Sequence, residues 1–195
     1  MTGCSHAGKT EAYFALKDIT EQDIHPNHAD RDTIAVRTYP PIRLGGKLLA
    51  LSDGPGSRSR ETQYKQFFET AKDNIAVSSI VYFFDLARSD SFWHSASEKA
   101  TLQKEFAQLN RLASSTIPEN KGKYRIIIVG SHKDCFTFDR NLKKASNEMR
   151  EKLSCWIDQE RFRIIDFIEA DLKSDDGARK FMQNLMQMLD SSNED

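Results

Sequence analysis

What this sequence most plainly lacks is a membrane-spanning run: no stretch approaches the roughly 18–20 consecutive apolar residues that a spanning helix needs. Cysteine is also scarce. Cys4, Cys135 and Cys155 are three in number, widely spaced, and accompanied by no secretory signal. That excludes a disulfide framework and leads us to expect a reducing, cytoplasmic setting. Charge of one sign is missing too, since 28 Lys+Arg balance 29 Asp+Glu to a formal net charge of −1. Nothing in that balance suggests an electrostatic nucleic-acid binder, and no nucleic-acid partner is expected. No prenylation box and no myristoylation glycine is visible, so no membrane anchor is expected. What is present is a 195-residue chain that is 38% hydrophobic, enough for one core and too much for disorder. With no internal repeat, low-complexity tract or linker, we expect one domain over residues 1–189 and a fraying acidic tail over 190–195.

Apolar, β-rich runs alternate with helical patterns along the chain. Residues 33–39 (TIAVRTY) alternate as a half-exposed strand stopped by Pro40-Pro41, and 47–52 (KLLALS) follow a Gly45-Gly46 hairpin turn. Residues 75–86, 124–129 and 162–168 are nearly continuous apolar runs, as strands covered on both faces require. Helical stretches are expected near 61–73, 95–112, 139–159 and 177–189, the last aligning Phe181, Leu185, Met188 and Leu189 on one face. Strands separated by helices predict an α/β fold with a doubly wound, mostly parallel sheet.

Four short segments carry chemistry. Gly3-Cys4-Ser5-His6-Ala7-Gly8-Lys9-Thr10 fits G-x-x-x-x-G-K-[ST] in full. Glycines there let backbone N–H groups turn onto phosphate oxygens, and the following helix N-terminus favours the same negative charge. The lysine reaches the outer phosphates and the threonine hydroxyl suits Mg²⁺. At an average glycine usage of about 7%, chance gives this pattern in roughly one chain in a hundred of this length. Asp53-Gly54-Pro55-Gly56 follows the 47–52 strand; alone it is turn chemistry, but a carboxylate so placed can hold a magnesium water shell. Ser131-His132-Lys133-Asp134 follows a buried strand. A carboxylate at that edge can accept two N–H bonds from guanine, a donor pair adenine lacks, although in isolation the segment also reads as a helix-cap turn. Glu169-Ala170-Asp171-Leu172-Lys173 is a polar loop whose backbone N–H groups can meet the guanine carbonyl.

In this order, with the lone Thr33 between the first two, the segments resemble the Ras-like small GTPases over nearly the whole chain. The S-H-K-D segment is similar to the T-H-x-D variant of the Roc-type branch. The D-G-P-G stretch resembles the Arf/Sar and signal-recognition-receptor β branches. The resemblance implies a P-loop GTPase fold, GTP/GDP and Mg²⁺ as cofactors, and protein effectors or regulators as partners beside the guanine nucleotide. It implies nucleotide binding by Gly3, Ser5, His6, Ala7, Gly8, Lys9, Thr10, Ser131, His132, Asp134, Leu172 and Lys173, and magnesium at Thr10, Thr33 and Asp53. Lys9, Thr33 and Gly56 are the implied catalytic set, Gly56 sensing the γ-phosphate.

The sequence departs from that family in three places. Ser57 stands where a glutamine normally orients the attacking water, so hydrolysis is expected to be slow. Asp171-Leu172 replaces the Ser-Ala of the last loop. Residues 1–7 contain no apolar strand, although the phosphate loop of this fold hangs from the first strand. We therefore expect a sheet lacking its first strand in an N-terminally truncated sequence. The leading expectation is a GTP-binding switch with slow, Mg-dependent hydrolysis. A pseudo-GTPase interaction module is the alternative, and an ATP-using P-loop enzyme is a third class. His25 and His28 have metal-like spacing but no carboxylate or thiol partner, and Trp93 and Trp156 are expected to pack.

Overall fold

Tyr82, Phe83 and Phe84 run consecutively along one strand, and all three are fully buried. Successive strand side chains point to opposite faces, so such a run demands cover on both sides. Tyr82 and Phe84 meet Phe106, Phe92 and Trp93 on one face, while Phe83 meets Phe181 on the other. Each buried ring is worth about 1.5–3 kcal/mol of apolar transfer. Two layers of helix around one sheet are the result.

The structure, a computed structural model, describes residues 2–3, 7–21, 37–38, 42–44, 47–49, 52–53, 79–116, 124–159 and 162–190. Its principal sheet has the order β1 (Thr2–Gly3), β6 (Ser79–Asp85), β7 (Tyr124–Ser131), β8 (Phe162–Glu169), and all its pairs are parallel. Three of these strands are full-length. The first is two residues long, pairing Thr2 with Tyr82 and Gly3 with Phe83. The expected loss of the first strand is thus a reduction to two residues. Two antiparallel pairs complete the strands among the described residues: β2 (Arg37–Thr38) with β5 (Ser52–Asp53), and β3 (Ile42–Leu44) with β4 (Lys47–Leu49). Leu44 lies opposite Lys47, so β3 and β4 pair as the expected hairpin requires, while Gly45-Gly46 themselves lie outside the described residues.

Helix α1 (Lys9–Glu21) packs against α5 (Asp175–Asp190). On the other face lie α2 (Ser89–His94), α3 (Ala96–Thr116) and α4 (Asp139–Ser154). α4 buries Leu142, Ala145, Met149 and Leu153 at helical spacing. α5 buries Phe181 and Leu185, with Met188 and Leu189 packed against the same core, as their spacing predicts. Trp93 stacks on Phe84 at 5.2 Å, and Trp156 meets Trp93 edge-on at 5.9 Å. Both tryptophans pack, as expected.

Several boundaries differ from the sequence reading. The expected 47–52 strand is divided between β4 and β5, which pair with different partners. The 75–86 run ends as a strand at Asp85, whose side chain accepts from the Ala87 N–H at 3.0 Å and starts a 3₁₀ turn over Leu86–Arg88. The expected helix over 139–159 stops at Ser154. There Asn110 of α3 draws the chain out of helical geometry, donating to the Trp156 carbonyl at 2.8 Å and accepting from the Asp158 N–H at 3.2 Å. The short α2 was not expected. The helix expected at 61–73, the start of the 33–39 strand and the tail beyond residue 190 lie outside the described residues.

Candidate functional site at one edge of the sheet

The phosphate-loop pattern sits between β1 and α1. Gly3 has φ +138°, and a Cβ there would lie 2.1 Å from the Phe83 carbonyl oxygen, so only glycine fits. Gly8 has φ +75° at the turn into α1, and its carbonyl accepts the first helical bond from Ala12 at 2.8 Å. Ala7 is fully buried between them. Lys9 is buried as well, 6% exposed, and its Nζ lies 3.4 Å from the Gly3 carbonyl oxygen. The ammonium therefore reaches back across the loop, where a buried cation needs acceptors. Thr10 is half-buried in the first turn of α1.

The base-motif segment leaves the C-terminal end of β7. Ser131 is buried and donates from Oγ to the Phe84 carbonyl at 3.2 Å, tying β7 to β6. His132 takes a left-handed backbone conformation, φ 60°, and a 3₁₀ turn over Lys133–Cys135 follows. That turn presents Asp134, which is exposed. The His132 Nδ1 lies 3.0 Å from Asp85 Oδ1 at the end of β6. The Asp85 hydrogen bond lifts the imidazole pKa above its ordinary value, against the opposing effect of burial. The ring is therefore held by a strand-end carboxylate.

The last loop closes over both segments. The Ala170 N–H donates to Gly130 at 2.8 Å, and the Lys133 N–H donates to Ala170 at 3.2 Å. Leu172 is buried, and its Cδ1 lies 3.2 Å from where a Cβ on Gly8 would stand. Lys173 is exposed. Asp171 accepts from the Lys173 and Ser174 N–H groups at 2.9 Å and 3.2 Å and from the Ser174 hydroxyl. Ser174 in turn caps α5 by accepting from the Gly177 N–H at 3.1 Å.

Three of the four predicted segments thus meet at the C-terminal edge of one parallel sheet. Asp53 lies in β5, opposite Arg37, in a separate two-stranded pair. Ser5, His6, Thr33, Gly56 and Ser57 lie outside the described residues, as do Cys4, His25 and His28. Among the described residues no group of three His, Cys, Asp or Glu is arranged to hold a metal ion, and no helix is long and apolar enough to cross a membrane. Sequence reasoning missed Asp85, whose only signal was a carboxylate near the end of an apolar run; Ala170 lies in the segment singled out for its backbone N–H groups, and its N–H and carbonyl bond to Gly130 and Lys133.

No family model and no curated protein matches the sequence. Solved structures resemble it at low identity. A GTP-binding protein from the hyperthermophilic archaeon Sulfolobus solfataricus, in complex with GDP, matches with TM-score 0.59 and 18% identity over 96% of this chain and 50% of that one. The mammalian SRP receptor matches with TM-score 0.58 and 15% identity over 96% of this chain and 97% of that one. A bacterial selenocysteine-specific elongation factor matches with TM-score 0.59 and 16% identity over 98% of this chain and 28% of that one. The chain therefore spans about half the length of the archaeal protein and nearly all of the SRP receptor chain. At these identities the likeness is one of fold, and the fold is that of a P-loop GTPase.

Proposed function

We propose that this chain binds guanine nucleotide as a molecular switch, holding GDP or GTP with Mg²⁺ and hydrolysing GTP slowly. The carrying observation is that the Gly3–Thr10 loop, the Ser131–Asp134 loop and the Glu169–Lys173 loop emerge from the same sheet edge, and that the last of them meets both of the others. Ligands of open α/β sheets bind outside the carboxyl ends of the strands. The buried Lys9 ammonium and the N-terminus of the 13-residue α1 suit a nucleoside di- or triphosphate. The left-handed Gly8 at the turn into α1, with no side chain, fits close backbone approach to phosphate. The Thr10 hydroxyl, next to Lys9, would ligate the magnesium, with Asp53 and Thr33 as further candidates. When bound, that ion supplies charge neutralisation at the β- and γ-phosphates. Asp134 would accept from the guanine N1–H and amino group, and the S-H-K-D sequence supports a Roc-like form of the base motif. The GDP complex of the archaeal neighbour supports the choice of nucleotide. Protein effectors or regulators would read the switch.

Asp134→Asn exchanges a two-acceptor carboxylate for one acceptor and one donor. It is expected to weaken GDP binding by about tenfold to several hundredfold. Titration of labelled GDP, GTP and ATP with and without Mg²⁺ measures this, and equal wild-type affinity for ATP and GTP would remove the assignment.

The second reading, a pseudo-GTPase interaction module, is favoured by Ser57 and by the altered Asp171-Leu172 pair. It predicts no measurable nucleotide binding in the same titration.

A further inference from the structure

Asp85 is 5% exposed at the end of β6, and its Oδ1 serves two donors. One is the Ala87 N–H at 3.0 Å, which starts the 3₁₀ turn. The other is His132 Nδ1 at 3.0 Å, from a loop 47 positions later in the chain. Ser131 Oγ also lies 3.2 Å from Nδ1, and its proton is directed at the Phe84 carbonyl. With both neighbours of Nδ1 accepting, the geometry assigns Nδ1 its proton in the neutral and the charged ring alike. The titrating proton is then on Nε2. His132 also holds φ 60°, which residues with a Cβ adopt rarely and which needs a tertiary restraint.

Resting on the guanine-nucleotide reading above, we propose that Asp85 is the positioning residue of the base-reading loop. Through the His132 imidazole it fixes the left-handed turn from which Asp134 is presented two residues on. Asp85 does not face the nucleotide itself; it acts on the angle at which Asp134 meets the base edge.

The contact is a hydrogen bond when the ring is neutral and a charge-assisted one when it is protonated, roughly twice as strong. Among the described residues, the charged groups facing His132 are Asp85 from β6 and Asp134 from its own loop, both carboxylates. The Asp85 hydrogen bond raises the His132 pKa above its ordinary 6.5, burial opposes this, and both carboxylate charges reinforce it. A raised folded-state value means the restraint is at full strength below about pH 6.5 and weakens as pH rises through the raised value. Guanine-nucleotide affinity should therefore fall as pH rises from about 6.5 through that raised value.

The experiment is a titration of the full chain with fluorescent GDP and Mg²⁺ at steps between about pH 6 and 8.5, with ATP as competitor. Wild type should lose several-fold in affinity across that range, and Asp85→Asn should lose about tenfold at the acidic end and show a flat profile. His132→Lys, at a half-exposed side chain, keeps a cation opposite Asp85 throughout and should flatten the profile. It also corrects for titration of the nucleotide phosphates. A wild-type profile parallel to that of His132→Lys overturns the positioning role. So does Asp85→Asn with wild-type affinity and wild-type discrimination against ATP. If Asp85→Asn fails to fold by circular dichroism, the comparison of wild type with His132→Lys decides alone. No GDP binding by wild type at any pH overturns the nucleotide reading and this role with it, whereas tight but pH-independent binding overturns this role alone.

Discussion

Asp171 organises the end of the last loop although it sits on a surface turn. It takes two backbone N–H groups and the Ser174 hydroxyl, leaving Ser174 Oγ to cap Gly177. Burial pushes its carboxyl pKa up, but the Ser174 hydroxyl, the two amides and the Lys133 charge outweigh this and leave it below the ordinary value. A depressed folded-state value means that the stabilisation is complete above the ordinary carboxylate range and disappears as pH falls through the lowered value. Asp171→Ala is therefore expected to cost about 1 kcal/mol at neutral pH, read by urea denaturation, with the difference vanishing in acid. Asp171 and Leu172 looked in the sequence like a loss of the family's loop residues. The structure gives each a task, the first bracing the turn that sets the Ser174 cap and the second packing beside Gly8. The placement of Gly8 and Lys9 at the turn into α1 was legible because one contiguous spacing determines it. The restraint on His132 was not, because its partner Asp85 is supplied by a different strand.

At the scale of elements, β1 holds the start of the Gly3–Thr10 segment by two residue pairs with β6, and the closest approach is made by Gly3. Gly3→Ala would drive a methyl group into the Phe83 backbone and force a conformation that alanine avoids. We expect the β1–β6 pairing to be lost, with a lower melting temperature and weaker GDP binding together. Circular dichroism melts and nucleotide titration check this, and a variant that melts earlier yet binds normally would separate the loop from the strand. The three long strands were readable as apolar runs because a parallel strand covered on both faces has no polar side to confuse it. Their ends were less so. Asp85 ends one element and Asn110 another through bonds that depend on the assembled fold. The split between β4 and β5 likewise depends on which strands they find as partners.

For the molecule as a whole, the proposed ligand would join elements that are distant in sequence at one edge of the sheet. Lys9→Ala should make nucleotide binding undetectable at micromolar protein, since it removes a buried charge-assisted contact worth about 1.5–3 kcal/mol; an isothermal titration unchanged by it would remove the phosphate-loop assignment. On the proposed reading turnover is expected to be slow, below about 10⁻⁴ s⁻¹, because a serine side chain is shorter than the glutamine that orients the attacking water in Ras. Ser57→Gln should raise the rate by about one to three decades in single-turnover hydrolysis of pre-bound GTP. A fast wild type with a neutral Ser57→Gln would move the water-positioning role to another residue, Arg58 first. The base loop and the last loop are stapled by two bonds, Ala170 to Gly130 and Lys133 to Ala170, made wholly of main chain. No substitution short of proline deletes a donor of that kind. The two loops thus share one opening event, and the amide protons of Lys133 and Ala170 should trade with solvent deuterium as a single cooperative unit that bound nucleotide slows at both positions at once.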